Sequence, residues 1–124
     1  MVLVDTSVWI DHLRIPNLPL VRLLKDAKVV VHPFVVGELA CGRLARRDEV
    51  LGLLGKLPRL LPVSDAEALV FIEANGLAGS GIGWVDVHLL AASRLARASL
   101  LTSDKALARA ARRLGLAGGT PRPN

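Results

Sequence analysis

Two rhythms of apolar residues alternate along the chain. Short unbroken runs, VLV at Val2–Val4, KVVVH at 28–32 and SLL at Ser99–Leu101, have the length and the β-branched or aliphatic content of strands buried on both faces. Between them the apolar positions recur every three or four residues, the helical period. Thr6 and Ser7 open an amphipathic helix carrying Val8, Trp9, Ile10 and Leu13. The prolines at 16 and 19 break the chain, and residues 20–27 form a second helix. Pro33 suits a first helical turn, so a helix starts there and runs to about Arg46. Another spans 48 to about 56. Residues 60–63 make a short strand interrupted by Pro62. Ser64 and Glu67 form a capping box that starts a helix ending near Gly76 and Gly79. A strongly apolar helix covers 84–98, and a last one 104–114. Strands separated by one or two helices predict an α/β fold, a parallel sheet sandwiched by helices.

The size agrees with one domain over residues 1–124, with a tail after Leu116 (AGGTPRPN) expected to pack loosely. At 52% hydrophobic residues and a mean hydropathy of +0.44, the composition excludes a disordered chain. One cysteine, Cys41, excludes a disulfide framework and a Cys-based zinc site, and fits a reducing, cytoplasmic compartment. We expect Cys41 to be a small core residue. No secretory leader and no membrane span are expected from the pattern. The net charge is +5, from 16 Lys and Arg against 11 Asp and Glu, a surplus that favours polyanionic partners such as nucleic acid.

Where the acids sit changes the picture further. Asp11, Asp26, Asp48, Glu49, Asp65, Glu67 and Glu73 have polar neighbours or helix-start positions. Asp5, Glu38, Asp86 and Asp104 do not. Asp5 ends VLV, Glu38 interrupts FVVGELAC, Asp86 lies within WVDVHLL and Asp104 follows SLLTS. An unpaired buried carboxylate costs several kcal/mol. In open α/β sheets, groups at the carboxyl ends of strands converge on one edge. At about 4 Å and an effective dielectric near 20, each like-charge pair there costs about 4 kcal/mol. Such a gathering needs a cation, and carboxylates without His or Cys suit Mg²⁺ or Mn²⁺. Each acid taken singly has an ordinary reading as well. Asp5 serves as a helix N-cap, Asp86 and Asp104 as first-turn acids, and Glu38 as a partner for Arg43 or a distant arginine.

The motifs VDTSVWID, VVGELACG, GIGWVDVHLLAAS and LLTSDKAL, in this order over nearly the whole chain, resemble the PIN-domain ribonucleases, most closely the VapC-type toxins of toxin–antitoxin pairs. The resemblance implies a PIN-like three-layer sandwich and a metal-dependent endoribonuclease whose acidic quartet is Asp5, Glu38, Asp86 and Asp104. It implies one or two Mg²⁺ or Mn²⁺ per site, and from their positions in the chain we expect Asp5 and Asp86 to be the most direct ligands. Ser7 and Thr102 match the small polar residues that order the site. It further implies products with a 5′-phosphate and a 3′-hydroxyl, a homodimer, and a cognate antitoxin whose tail masks the acids. Relatives often carry an aromatic residue three positions after the last acid, where this chain has Leu107.

Arg43, Arg46 and Arg47, at the end of Glu38's helix, and Arg94 and Arg97, on Asp86's, are candidates to steer RNA phosphates, as are Arg109, Arg112 and Arg113 on the last helix. For each of them a solvated helix face is an equal reading. Trp9 and Trp84 fit core or subunit contacts better than base stacking. His12, His32 and His88 share no metal-ligand spacing and read as structural or surface residues. Gly76, Gly79, Gly81 and Gly83 make a turn that delivers Asp86. Two other classes remain in view. A phosphoacceptor receiver domain is disfavoured because no adjacent acid pair follows the first strand, and the second ends in His32 and Pro33. A non-catalytic RNA-binding module of the same fold is disfavoured by the intact acids.

Overall fold

The three apolar runs pair into one parallel sheet. In the computed structural model, which describes residues 1–118, the order is β1 (Val2–Val4), α1 (Thr6–Arg14), α2 (Leu18–Lys25), β2 (Val29–Val30), α3 (Pro33–Cys41), α4 (Arg47–Lys56), α5 (Asp65–Asn75), α6 (Trp84–Ala96), β3 (Ser99–Leu101) and α7 (Lys105–Arg113). The sheet order is β2-β1-β3, with Leu3 opposite both Val30 and Leu100. Two further segments extend its edges by single parallel bridges, Arg59 beside Val31 and Ala117 beside Leu100. The chain is α/β, as the alternation of strands and helices predicts. Residues 119–124, most of the expected loose tail, lie outside the described residues.

β1 sits in the middle, so the connections β1→β2 and β2→β3 cross the sheet in opposite directions. Right-handed crossovers then put their helices on opposite faces, the sandwich arrangement. The main core is built around Leu3, Val4, Trp9, Leu90, Leu100 and Leu107, all buried. A smaller apolar cluster of Val63, Ala68, Val87 and Ala91 joins α5 to α6. Among the described residues no helix is long and apolar enough to cross a membrane.

Several boundaries differ from the sequence reading. The predicted strand at 60–63 is reduced to one bridge at Arg59, where Val31 N–H donates to Pro58 O and Leu60 N–H to Val31 O. Pro58 and Pro62 lack N–H donors, which stops the ladder on either side. α2 begins at Leu18 rather than Leu20, because the Asn17 side chain accepts from Leu20 N–H and Pro19 is tolerated in a first turn. α3 stops at Cys41, not Arg46. Gly42 leaves the helix with extended backbone, its N–H on Leu39 O, so Arg43 and Arg46 lie on a connecting loop and Arg47 opens α4. Cys41 is exposed rather than in the core. It follows Glu38 by three residues on the α3 face that opens to solvent. The Ser64–Glu67 capping box forms as predicted, with reciprocal bonds of 3.1 and 2.9 Å, and Gly76 ends α5 in the left-handed region at φ 60°.

Candidate functional site

Because the strands are parallel, all three release their chains at the same edge, and each supplies part of a polar cluster. β1 ends in Asp5, whose N–H still reaches Leu101 O of β3 at 2.9 Å, so the acid stands at the junction of β1 and β3. The order β2-β1-β3 makes this junction the point where the connections reverse direction, the place where open α/β sheets form a crevice. Asp5 is buried, at 7% exposure. Its Oδ1 accepts from Thr6 N–H at 2.8 Å, and its Oδ2 accepts from Ser7 Oγ at 2.8 Å and Thr102 Oγ1 at 2.7 Å.

Thr102 ties the cluster together, since its Oγ1 also accepts from Asp104 N–H at 3.0 Å. Asp104 caps α7 through Leu107 N–H at 2.8 Å. Ser7 Oγ in turn accepts from Ser103 N–H at 3.1 Å. From the β2 side, α3 brings Glu38 across, and Thr6 Oγ1 donates to its Oε1 at 2.8 Å. A continuous set of hydrogen bonds therefore runs Glu38–Thr6–Asp5–Thr102–Asp104. Asp86, in the first turn of α6, accepts from Gly83 N–H at 3.1 Å. Its carboxyl is pushed above the usual range chiefly by burial, and also by the charges of Asp5, Asp104 and Glu38; the Gly83 N–H opposes the rise. The fourth acid thus feels the other three.

The ordinary and the functional readings hold at once. Asp5 and Asp104 are helix caps, Asp86 bonds the turn before its helix, and Glu38 takes a threonine hydroxyl rather than Arg43. Yet all four face one edge. Among the described residues no three His, Cys, Asp or Glu side chains stand close enough to enclose one ion together, because each carboxylate is turned to a nearby N–H or O–H group. The donor set is still one that suits a hard divalent cation, since it is oxygen only. Mg²⁺ takes one or two carboxylates directly and keeps several waters, so a loose oxygen shell suits it better than a closed cage.

Three polar residues of the cluster were not singled out by sequence: Thr6, Ser103 and Asp11. Asp11 accepts from Ser103 Oγ at 3.4 Å. Its spacing of four from Ser7 on α1 was the available signal. Of the arginines, Arg43 and Arg46 line a groove of about 800 Å³ between α1 and the α3–α4 segment, together with Ile10, Leu13, Arg14 and Glu38. Arg47 bonds Gly42 O instead. Arg94 lies eight residues beyond Asp86, about 12 Å along α6, and its Nη2 donates to Leu114 O at 2.9 Å. Arg113 likewise ties α7 to Asn75 O.

Comparison with known proteins decides the family. The PIN domain pattern matches residues 2–113. The chain belongs to the PIN-domain family. It is of the VapC type within it: over 118 residues it is 44% identical to Ribonuclease VapC32 of Mycobacterium tuberculosis, in strains CDC 1551 / Oshkosh and ATCC 25618 / H37Rv, covering 94% of this chain and 95% of the relative. All four acids, Ser7 and Thr102 fall inside the stretch matched to the PIN domain.

Two histidines of this PIN domain, His32 and His88, are buried. His32 caps α3, accepting from Phe34 N–H on Nδ1 at 3.0 Å, and its Nε2 is buried without a partner. His88 Nε2 is 3.4 Å from Asp65 Oδ1. Burial, and secondarily the charge of His88, lower the His32 pKa from 6.5 to about 4. The unfolded chain takes up a proton at this ring below pH 6.5, whereas the native one resists until about 4. His32's contribution is therefore complete above pH 6.5 and is lost as pH falls toward 4, a loss of about 3 kcal/mol. Urea denaturation at pH 7 and pH 4.5 checks this. His32→Asn, which keeps a capping oxygen, is expected to show a clearly smaller acid loss than the parent. Equal losses would remove His32 from the account.

Proposed function

We propose that this protein is a divalent-metal-dependent endoribonuclease of the toxin type, restrained by a cognate antitoxin and acting as a homodimer. The observation that carries the reading is the convergence of Asp5, Glu38, Asp86 and Asp104 on one sheet edge, through the hydrogen bonds of Thr6, Ser7 and Thr102, with Asp86 raised chiefly by burial and further by the charges of the other three. The VapC-type relative named as a ribonuclease supports RNA as the substrate. Asp5 and Asp86 would be the most direct donors to one or two Mg²⁺ or Mn²⁺, with Glu38 and Asp104 completing the acidic set. The cation, when bound, offsets the acids' charge, polarises the scissile phosphate and lowers the pKa of the attacking water.

The chain's own residues do the rest. Ser7 and Thr102 fix one oxygen of Asp5 with two hydroxyl donors, so the carboxylate presents a set orientation to the edge. Thr6 draws Glu38 toward the same place. Arg43 and Arg46, on the rim of the groove beside Glu38, attract the phosphate backbone and hold it against a surface that would otherwise repel it. The expected products carry a 5′-phosphate and a 3′-hydroxyl.

Purified protein incubated with structured RNAs is expected to cut them with Mg²⁺ or Mn²⁺ and to stop when EDTA is added. Binding without turnover under either metal would leave the non-catalytic RNA-binding module as the better account. Cleavage undiminished in EDTA would remove the metal from it.

A further inference from the structure

We propose that Lys105, Arg109 and Arg112 form a track on α7 for RNA phosphates, leading away from the acids on the side opposite Arg43 and Arg46; this rests on the ribonuclease reading above. α7 begins at the acid edge, since its N-cap is Asp104 and Lys105 is the next residue. Spacings of four and then three put Lys105, Arg109 and Arg112 within about 60° of one another around the helix. All three are exposed. The buried residues of α7, Leu107, Ala110 and Ala111, lie on its other side. The stripe therefore faces solvent along about 10 Å of helix, starting one residue from Asp104.

Helix stability does not account for this stripe. α7 holds four cations, Lys105, Arg109, Arg112 and Arg113, and no acid. Lys105–Arg109, Arg109–Arg112 and Arg109–Arg113 are like-charge neighbours three or four apart, and each such pair weakens a helix. The helix dipole favours Arg112 in the last turn but disfavours Lys105 in the first. Among the described residues none of Lys105, Arg109 and Arg112 is in an ion pair. Arg113 differs, since its Nη2 donates to Asn75 O at 2.8 Å and ties α7 to α5. The stripe is thus an unneutralised charge that a bound polyanion relieves.

Its chemistry fits phosphates rather than a protein face. α7 exposes no large apolar side chain to anchor a protein contact, because its one leucine, Leu107, is buried. Phosphate contacts need charge and donors but no such anchor, and the two arginines offer planar forks that match phosphate oxygens. Position agrees. β2 and β3 lie on either side of β1. After β2, α3 carries Glu38 beside the groove that holds Arg43 and Arg46; after β3, α7 starts at Asp104. The two basic clusters therefore flank the acids. A backbone held by both crosses the acid edge, and its contacts along α7 carry no base preference.

The full chain, in EDTA so that RNA is not cut, is titrated with labelled RNAs of differing base composition over a range of KCl concentrations, and binding is followed by anisotropy. The parent is compared with the triple variant Lys105→Gln, Arg109→Gln, Arg112→Gln and with a control of equal net charge, Arg22→Gln, Lys25→Gln, Lys28→Gln. The control residues are exposed on α2 and at the entry to β2, where Lys28 O accepts from Val2 N–H at the sheet end away from the acids. The α7 triple should bind every RNA about tenfold more weakly or worse. Its slope of log affinity against log salt should be shallower by about 2–3, from about 0.7–0.9 per lost phosphate contact. The control should stay within about twofold of the parent. Arg109→Gln alone removes all three like-charge pairs, so it should melt no lower than the parent while its salt slope falls by about 0.7–0.9, which separates lost binding from lost folding. Parent-like affinity and slope in the α7 triple overturns the proposal, as does an equal loss in both triples, which is a net-charge effect. So does a parent that binds an oligoglutamate of equal charge as tightly as RNA through the same residues, since the stripe is then a contact for an acidic protein. Where the parent still cuts RNA with Mg²⁺, these results fail the track alone. A parent that neither binds nor cuts RNA fails the ribonuclease reading first.

Discussion

Asp5→Asn is expected to reduce RNA cleavage by about a hundredfold or more while leaving the circular dichroism spectrum unchanged. Asp5 is the acid with most hydrogen bonds, at the junction of β1 and β3, and it is the most buried of the quartet. Asparagine keeps one acceptor for Thr6 N–H. Its amide nitrogen, in place of Oδ2, meets two hydroxyls that rotate from donating to accepting. The fold therefore tolerates the change, and what is lost is a negative oxygen at the edge. Cleavage assayed under saturating Mg²⁺ reads the effect. A variant that cuts at the parent's rate would show that the site is elsewhere.

Asp86→Asn is expected to separate stability from activity. In the native state Asp86 is harder to ionise than in the unfolded chain, through burial and the charges of Asp5, Asp104 and Glu38. Above the ordinary carboxylate range the folded protein therefore carries a cost that the unfolded one does not; below that range the cost disappears. Asparagine removes the charge and keeps an oxygen for Gly83 N–H. In EDTA at pH 7 the variant should melt several degrees above the parent, yet cut RNA about a hundredfold less or worse. Adding Mg²⁺ should raise the parent's Tm and leave the variant's nearly unchanged, because a ligand that binds only the native state stabilises it by mass action. A variant that melts lower in EDTA, or gains as much from Mg²⁺ as the parent, contradicts this.

The sheet and its edge were legible because buried parallel strands are short unbroken apolar runs, and an acid directly after such a run, as at Asp5, or three residues on, as at Asp104, has few other places to be. Asp86 and Glu38 stood out as carboxylates inside apolar helices. The α3 boundary was harder. Cys41 and Leu44, three apart, continue the helical period past Gly42, and only the glycine's departure into extended backbone ends the helix. The cross-links of the site were not legible either. Thr6, Asp11 and Ser103 join residues 32 to 96 positions apart, and a hydroxyl in a D-T-S or T-S-D string gives no local sign of which distant carboxylate it will meet. The exposure of Trp84 beside the burial of Trp9 is of the same kind, since one tryptophan follows an acid motif and the other precedes one, with similar neighbours.

The central claim is that Asp5, Glu38, Asp86 and Asp104 form a seat for a hard divalent cation. Calorimetric titration of Mn²⁺ into the metal-free protein tests it most directly, with Glu73→Gln, an exposed acid on α5, as the control. Saturable binding is predicted, weakened about tenfold or more in both Asp5→Asn and Asp86→Asn and unchanged in Glu73→Gln. Absence of saturable heat in the parent, or one affinity shared by all four proteins, would contradict it.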